Sequence, residues 1–346
     1  MAEKKVALLI FSKPPLVGLV KTRMTTEYGG FLTPKQAAEF YKRCFFDVCE
    51  CAMHACITLQ RENDALVAAD PTATKITYDF FVSTTPAESV PKVKEIFDSI
   101  GPWPMEIHYM CDEGHTFDEH FNDAFNQLFA MGYESIVSIG GDVPTMPKQH
   151  LISSFRWLEY FQSIGTPGFV VAPCQECGTS LVGYSVNTPN MNHTGIYYNM
   201  DGRPALDGYL EKLQEAGVPT AFFDPVADVD EATDLAHAIS CMKMIEQAAK
   251  FQDLYVPRRT LDWVDFMGIV ISTPPNENHD PRDYLDGNAD AADAAGVDGA
   301  SASGGMEEPT IEELQAIAKG MTAIREQTAK TNAYERSKYG VDESAE

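Results

Sequence analysis

VALLIFSKPPLVGLVKTRMT, residues Val6 to Thr25, holds the decision about the fold. Six apolar residues in succession, Val6 to Phe11, predict a strand buried on both faces, as the strands of a parallel sheet are. The strand stops at Ser12-Lys13-Pro14-Pro15 and is followed by Gly18 and then Lys21-Thr22-Arg23. In an open α/β sheet the loops at the carboxyl ends of the strands face the ligand. Cations delivered there, with a glycine that lets the backbone approach closely, suit the phosphates of a nucleotide. The alternative is an exposed, solvated basic loop. Both readings place Lys21 and Arg23 within reach of solvent. The order Gly-Lys-Ser/Thr of a Walker loop is absent, and Gly18 alone does not make the Gly-x-Gly-x-x-Gly dinucleotide fingerprint.

The chain around this loop is acidic. Its 346 residues carry 26 Lys and Arg against 51 Asp and Glu, a formal net charge of −25, which repels nucleic acid and anionic membranes. Neither is therefore expected as a partner. The opening apolar run is shorter than a signal-peptide core, and no stretch approaches the ~20 apolar residues of a membrane span, so the reading is a cytoplasmic protein. Eight cysteines without a secretory signal read as reduced thiols. Four of them, Cys44, Cys49, Cys51 and Cys56, fall in one helical segment, where they read as small buried hydrophobes.

Strand-like and helix-like segments alternate, which predicts a mainly parallel sheet covered by helices. Strands are expected at Val6–Phe11, Thr77–Ser83, Met105–Tyr109, Ser135–Ile139, Gly168–Ala172, Leu181–Ser185 and Thr220–Phe223. Helices are expected at Pro34–Ala55, with Thr33 as N-cap, and at Phe117–Phe129, Lys148–Phe161, Pro204–Glu215 and Glu231–Gln247. This domain spans 1–250. An extension at 251–285 follows, with an apolar run, Met267–Ile271, that reads either as an added strand or as cover for the core. The segment 286–305 is a flexible acidic linker by composition. Within 306–346, Ile311, Leu314, Ile317, Met321 and Ile324 predict an amphipathic helix from near Thr310, which would dock on the domain, a second copy or a partner.

Two further strand ends carry candidate chemistry. In SIGGDVPTM, Ser138 to Met146, an apolar strand runs through Gly140 and Gly141 into Asp142, held by Val143-Pro144. A carboxylate so placed is either a turn residue or an oxygen ligand for Mg²⁺ or Mn²⁺. In DPVADVDEATDL, Asp224 to Leu235, Asp228 and Asp230 lie between a strand and a helix. Asp230 is either a helix cap or a second metal ligand. The Cys174-x-x-Cys177 pair lacks the second pair a structural zinc needs. The turn after it, Gly178-Thr179-Ser180, offers backbone and hydroxyl donors to an acceptor substrate.

Together these motifs place residues 5 to about 240 in resemblance to a known group. It comprises the uncharacterised bacterial transferases of the nucleotide-diphospho-sugar transferase (GT-A) superfamily, sometimes labelled arsenosugar-type glycosyltransferases. These are relatives of the 2-phospho-L-lactate and molybdenum cofactor guanylyltransferases. FSKPPLVGLVKTR matches the family's Lys-x-Pro-x-x-Gly-x-Val-Lys-Thr-Arg opening, IGGDVPTM its Gly-Ser-Asp-Cys-Pro-Asp-Leu strand end, and DVDEATDL its Asp-Val-Asp-Thr-Pro-Glu-Asp-Leu closing element. The resemblance implies a Rossmann-like GT-A three-layer α/β sandwich with a C-terminal extension. It also implies that Lys13, Lys21 and Arg23 face phosphates and that Asp142 and Asp230 hold the metal. The family's Leu-Gly-Glu-Arg-Met helix start appears here as Phe117-Asp118-Glu119-His120-Phe121, without its arginine. In the acceptor loop, Glu176-Cys177-Gly178-Thr179-Ser180 stands where many relatives have Asp-Gly-Gly-Tyr-Tyr.

The reading is a Mg²⁺-dependent (or Mn²⁺-dependent) nucleotide-utilising transferase acting on a small phosphorylated or hydroxyl acceptor. Nucleotidyl transfer comes first, then glycosyl transfer from a nucleotide-sugar, then a non-catalytic nucleotide-binding module. Lys21, Arg23 and Asp142 are the catalytic candidates. The nucleotide-binding candidates are Ser12, Lys13, Pro14, Gly18, Lys21, Thr22, Arg23 and Gly141.

Overall fold

The computed structural model of the protein describes residues 3–271. The residues 272–285 of the expected extension, the expected linker and the expected C-terminal helix lie outside the described residues. β1 (Glu3–Phe11) is fully buried from Ala7 to Ile10. It pairs in parallel with β2 (Lys75–Ser83) on one side and with β4 (Ser135–Gly140) on the other, Leu9 lying opposite Phe81 and Ser138. β3 (His108–Met110) extends the sheet beyond β2, and β5 (Phe169–Pro173), β6 (Thr179–Ser185) and β7 (Thr220–Phe222) complete it. The order is β3-β2-β1-β4-β6-β5-β7, with β6 antiparallel to both neighbours and the other pairings parallel.

Helices cover both faces. α1 (Pro34–Ala69), α2 (Val90–Asp98), α4 (Lys148–Ser163), α6 (Ala232–Ala248) and α7 (Arg258–Phe266) pack on one; α3 (Phe117–Ala130) and α5 (Ala205–Ala216) on the other. α1 begins as its sequence dictates: Thr33 accepts from Gln36 N, Gln36 answers Thr33 N, and Pro34 occupies the first position. It continues well past Ala55, because nothing between Cys56 and Ala69 breaks a helix before Asp70-Pro71. The added turns are tied to β2: Asn63 accepts from Ile76 N at 2.8 Å and Gln60 accepts from Tyr78 N at 3.2 Å. α2, too short to show a clear period, was not legible in the sequence. β3 starts three residues later than its hydropathy suggests, because pairing with Phe81–Ser83 sets its register.

Residues 251–271 lie against α1. Asp47, buried on α1, accepts from Thr260 N and Oγ1, both at 2.7 Å, while Arg259 reaches Glu50 at 2.5 Å and Trp263 meets Phe40 with ring centroids 5.4 Å apart. Of the two readings of Met267–Ile271, the covering one applies: no strand forms, and Met267 and Ile269 pack on the core. The cysteines of α1 are free and buried, as expected. Burial pushes all four thiols up, Cys51 to about 12. Among the described residues no helix is long and apolar enough to cross a membrane.

Candidate functional site

From β1 the chain moves outward to β2 and β3, then returns to β4 on the other side of β1. A sheet whose strand order reverses in this way opens a crevice at the carboxyl ends of the strands flanking the reversal, here β1 and β4. Phe11 and Gly140 face one another across that point, so Ser12 and Asp142 emerge side by side. The two glycines of β4's end serve close approach. A Cβ on Gly140 would lie 2.6 Å from Asp142 Oδ1; one on Gly141 would lie 2.9 Å from Phe45 Cδ2 and Tyr41 Oη and 3.0 Å from Ser12 Oγ. The Asp142 carbonyl accepts from Val229 N at 3.1 Å, which draws the loop before α6 over the crevice and brings Asp230 to it.

Lys21 closes the arrangement. Its ammonium donates to Asp142 Oδ2 at 2.6 Å and to Asp230 Oδ1 at 2.7 Å, and lies 5.5 Å from the centre of the Tyr41 ring. Tyr41 Oη in turn shares a hydrogen bond with Ser12 Oγ. Contrary to the expectation of a solvent-reachable side chain, the Lys21 side chain is 4% exposed, because the two carboxylates fold it inward. Its backbone is left-handed, φ 50° and ψ 38°, a conformation costly for a residue with a Cβ. Arg23 does remain open, with Nη1 3.5 Å from Asp230 Oδ2.

The electrostatics follow. Burial works against the Lys21 charge, but Asp142 and Asp230 outweigh it and hold the ammonium well above the ordinary lysine range. Burial likewise opposes ionisation of Asp230; Lys21, then Arg23 and Lys13, keep its carboxyl below the usual value. At Asp228 the pull of Lys21 is outweighed. Burial and the charges of Asp142 and Asp230 push it up to about 7.

The helix cap that could have claimed Asp230 is made by another residue. Asp234 Oδ2 accepts from Asp230 N at 3.0 Å and from Glu231 N at 2.8 Å. The Asp230 carboxylate thus stays with Lys21 and Arg23.

Of the remaining sequence candidates, Lys13 and Gly18 are exposed on the same loop as Lys21, Pro14 is buried beneath it, and the Thr22 carbonyl accepts from Thr25 Oγ1. Gly18, at φ 81° with open space around it, is a left-handed turn position that favours glycine. Of the residues expected to bind an acceptor, Gly178 packs so closely that a Cβ would lie 2.7 Å from Cys174 Sγ. Thr179 Oγ1 meets Tyr197 Oη at 2.6 Å. Ser180 departs from its expected role: its hydroxyl is buried and donates to the Val226 carbonyl, so it is spent on holding the Val226 loop. Gln175 joins the two loops by donating to Asp228 O at 2.7 Å and accepting from Asp228 N at 3.2 Å. Among the described residues no group of three or more His, Cys, Asp or Glu is placed to hold a metal by itself, which includes Cys174 and Cys177.

Sequence reasoning missed Tyr41, which sits on α1 with nothing in its spacing to mark it. It also missed a chain at the end of β2. The Ser83 carbonyl accepts from Ser12 N at 3.2 Å, its hydroxyl donates to Asp112 Oδ2 at 2.6 Å, and Asp112 Oδ1 lies 2.8 Å from His120 Nδ1. One turn earlier on α3, Phe117 is 48% exposed. The departure from the family motif at His120 was the signal available.

Residues 67–200 match the model of a family described as "Uncharacterized protein conserved in bacteria (DUF2064)". No curated protein matches the sequence. Among solved structures, the chain resembles a proposed nucleotide-diphospho-sugar transferase from Desulfovibrio desulfuricans G20. The TM-score is 0.54 at 18% identity, over 76% of this chain and 96% of that one. It also resembles a cytidylyltransferase from Leptospira borgpetersenii serovar Hardjo-bovis, with TM-score 0.41 and 13% identity, over 78% and 100% of the two chains. A third likeness is to CMP:2-keto-3-deoxy-manno-octonic acid synthetase complexed with CTP, with TM-score 0.39 and 11% identity, over 70% and 99%. At these identities the likeness concerns the fold, and the first of them agrees with the Rossmann-like GT-A sandwich.

Proposed function

We propose that the protein is a divalent-metal-dependent, nucleotide-utilising transferase, with nucleotidyl transfer the leading reaction. The observation that carries this reading is the Lys21 ammonium bracketed by Asp142 and Asp230 at the switch-point crevice, with Arg23 beside it. A cation already seated between two carboxylates marks a place where positive charge is favoured. The donor set is also that of a hard ion, all carboxylate oxygen. Mg²⁺ fits such a pair when phosphate oxygens complete its shell, as a two-carboxylate site requires. When bound, the metal would neutralise charge on the phosphates and the leaving group.

In this reading the residues of the chain divide the work. Asp142 and Asp230 would hold the metal, Lys21 and Arg23 would stabilise the phosphate oxygens, and Lys13 would add charge from the loop. Phe117, packed on Phe11, and His120, linked through Asp112 and Ser83 to Ser12, are on hand for the nucleobase. An acceptor oxygen bonds to the α-phosphorus, the bond from that phosphorus to the bridging oxygen breaks, pyrophosphate departs, and the acceptor's proton passes to solvent. Glycosyl transfer from a nucleotide-sugar uses the same seat, and the likeness to the Desulfovibrio protein keeps it as the second reading. The cap formed by Asp234 counts against a non-catalytic module, since it leaves Asp230 for the crevice.

The experiment is a thermal-shift panel of nucleoside triphosphates and sugar nucleotides with Mg²⁺, Mn²⁺ or chelator, followed by pyrophosphate release across small acceptors. A ligand at 100 times its Kd adds ~2.7 kcal/mol, roughly 5–10 °C for a domain of this size. The gain should require metal and vanish in Asp142→Asn. No shift with any nucleotide would remove the proposal.

A further inference from the structure

Beneath the acceptor loop runs a chain of polar side chains that neither the phosphates nor the metal needs. Tyr184 Oη lies 3.3 Å from His193 Nε2, and His193 Nδ1 lies 2.6 Å from Tyr209 Oη. Tyr209 Oη donates to Tyr197 Oη at 3.2 Å, and Tyr197 Oη meets Thr179 Oγ1 at 2.6 Å. His193 has no exposed surface and is stacked on Phe121 with ring centroids 4.0 Å apart. Burial holds its imidazole far below the ordinary range, at about 3, so the ring is neutral. A neutral imidazole has one donor and one acceptor nitrogen, and a phenol has one proton to give. These counts make the chain directional.

The direction is fixed at its middle link. Because Tyr209 gives its proton to Tyr197, it must accept from His193, so Nδ1 carries the hydrogen and Nε2 accepts from Tyr184. Either hydroxyl of the Tyr197–Thr179 pair could donate, but the only other hydroxyl neighbour of Tyr197 in the chain, Tyr209, already gives to it, so the Tyr197 proton is left for Thr179 Oγ1. The Thr179 hydroxyl therefore keeps its proton for a partner outside the chain.

We propose that the buried Tyr184–His193–Tyr209–Tyr197 chain sets Thr179 as an obligate hydrogen-bond donor, and that the group it receives is an oxyanion of the acceptor substrate, a carboxylate or a phosphate. Thr179 then touches the ligand, while His193 and the tyrosines are positioning residues. An anionic oxygen gains most from a donor with no competing partner. This inference deepens the transferase reading by naming the acceptor's chemistry, and it rests on that reading for the word acceptor alone.

Two measurements on the full chain test it. The first needs no ligand: ¹⁵N NMR of histidine-labelled protein, with His193 assigned by the signal lost in His193→Gln. A protonated Nδ1 and bare Nε2 are expected; the opposite tautomer reverses the chain and overturns the proposal. The second is an NMR titration with inorganic phosphate, lactate and 3-phosphoglycerate, with glycerol as the neutral control, against wild type, Thr179→Val and Thr179→Ser. At least one anion should bind, distinguish carboxylate from phosphate, and weaken about tenfold in Thr179→Val while Thr179→Ser retains it. Tyr197→Phe should weaken it too, without touching the ligand. Absence of anion binding, equal loss of glycerol, or indifference to Thr179→Val overturns the assignment. None of these readouts uses a nucleotide, so failure of the phosphate crevice would show separately in the thermal-shift panel.

Discussion

Replacing Lys21 is the sharpest perturbation the crevice offers. With its side chain 4% exposed and its ammonium at 2.6 and 2.7 Å from Asp142 and Asp230, Lys21→Ala leaves two carboxylates facing each other without their cation. Removing one member of a fully buried pair costs about 3–5 kcal/mol. Here Asp142 and Asp230 retain 25% and 39% of their side-chain exposure, so water screens part of the loss and about 2–3 kcal/mol is expected. That corresponds to a fall in Tm of roughly 5–10 °C. A second effect has the opposite sign. At φ 50° a Cβ is strained, so Lys21→Gly should be more stable than Lys21→Ala by about 1 kcal/mol, although it removes the same charge. The assay is urea unfolding of wild type, both variants, and Lys21→Ala combined with Asp230→Asn, which should recover part of the loss. Lys21→Ala as stable as wild type would refute the pairing, and Lys21→Gly less stable than Lys21→Ala would refute the backbone strain.

Gly141→Ala should lower stability by about 1–3 kcal/mol and disturb the Ser12–Tyr41 contact, because its Cβ would come within 3.0 Å of three side chains; a melt indistinguishable from wild type would show that the crevice floor yields. For His193 the folded pKa, about 3, lies below the unfolded 6.5, so unfolding takes up a proton between those values. Its contribution is whole above pH 6.5 and declines as pH falls, by about 2 kcal/mol at pH 5. His193→Gln should therefore flatten the loss of Tm between pH 6.5 and 4, and an unchanged slope would assign that loss to other groups. His120→Ala should weaken nucleoside triphosphates about tenfold in calorimetry while leaving inorganic tripolyphosphate unaffected; equal weakening of both would place His120 on the phosphates.

The sequence revealed what depends on local pattern and concealed what depends on distance along the chain. Val6–Phe11 and Ser135–Ile139 were legible as strands because continuous apolar runs admit few other readings. Asp142 stands out because it follows such a strand, and Asp230 because it lies between a strand and a helix. That both meet one lysine could not be read, since Lys21 and Asp230 are 209 positions apart. Nor could the inward turn of Lys21, which a loop composition argues against. The residue type of Ser180 suggests a donor for a ligand, but the Val226 carbonyl that claims it belongs to a loop 46 residues away. The apolar periodicity of α1 is legible in its first turns and fades in its last, where only Cys56, Leu59 and Asn63 are buried.

The burial of α1's cysteines gives the protein an internal clock. Thiols react as thiolates, and Cys44, Cys49, Cys51 and Cys56 are both shielded and held protonated, whereas Cys177 is exposed. A thiol reagent added to the native protein should therefore mark Cys177 at once and the four helical cysteines only when α1 opens. Whether those four become labelled together or in sequence, as read by mass spectrometry, would tell whether the helix beneath the crevice loosens segment by segment or only when the whole domain unfolds. Repeating the labelling with a nucleotide and Mg²⁺ present would then report, without any assay of turnover, whether they tighten the helix that carries Tyr41.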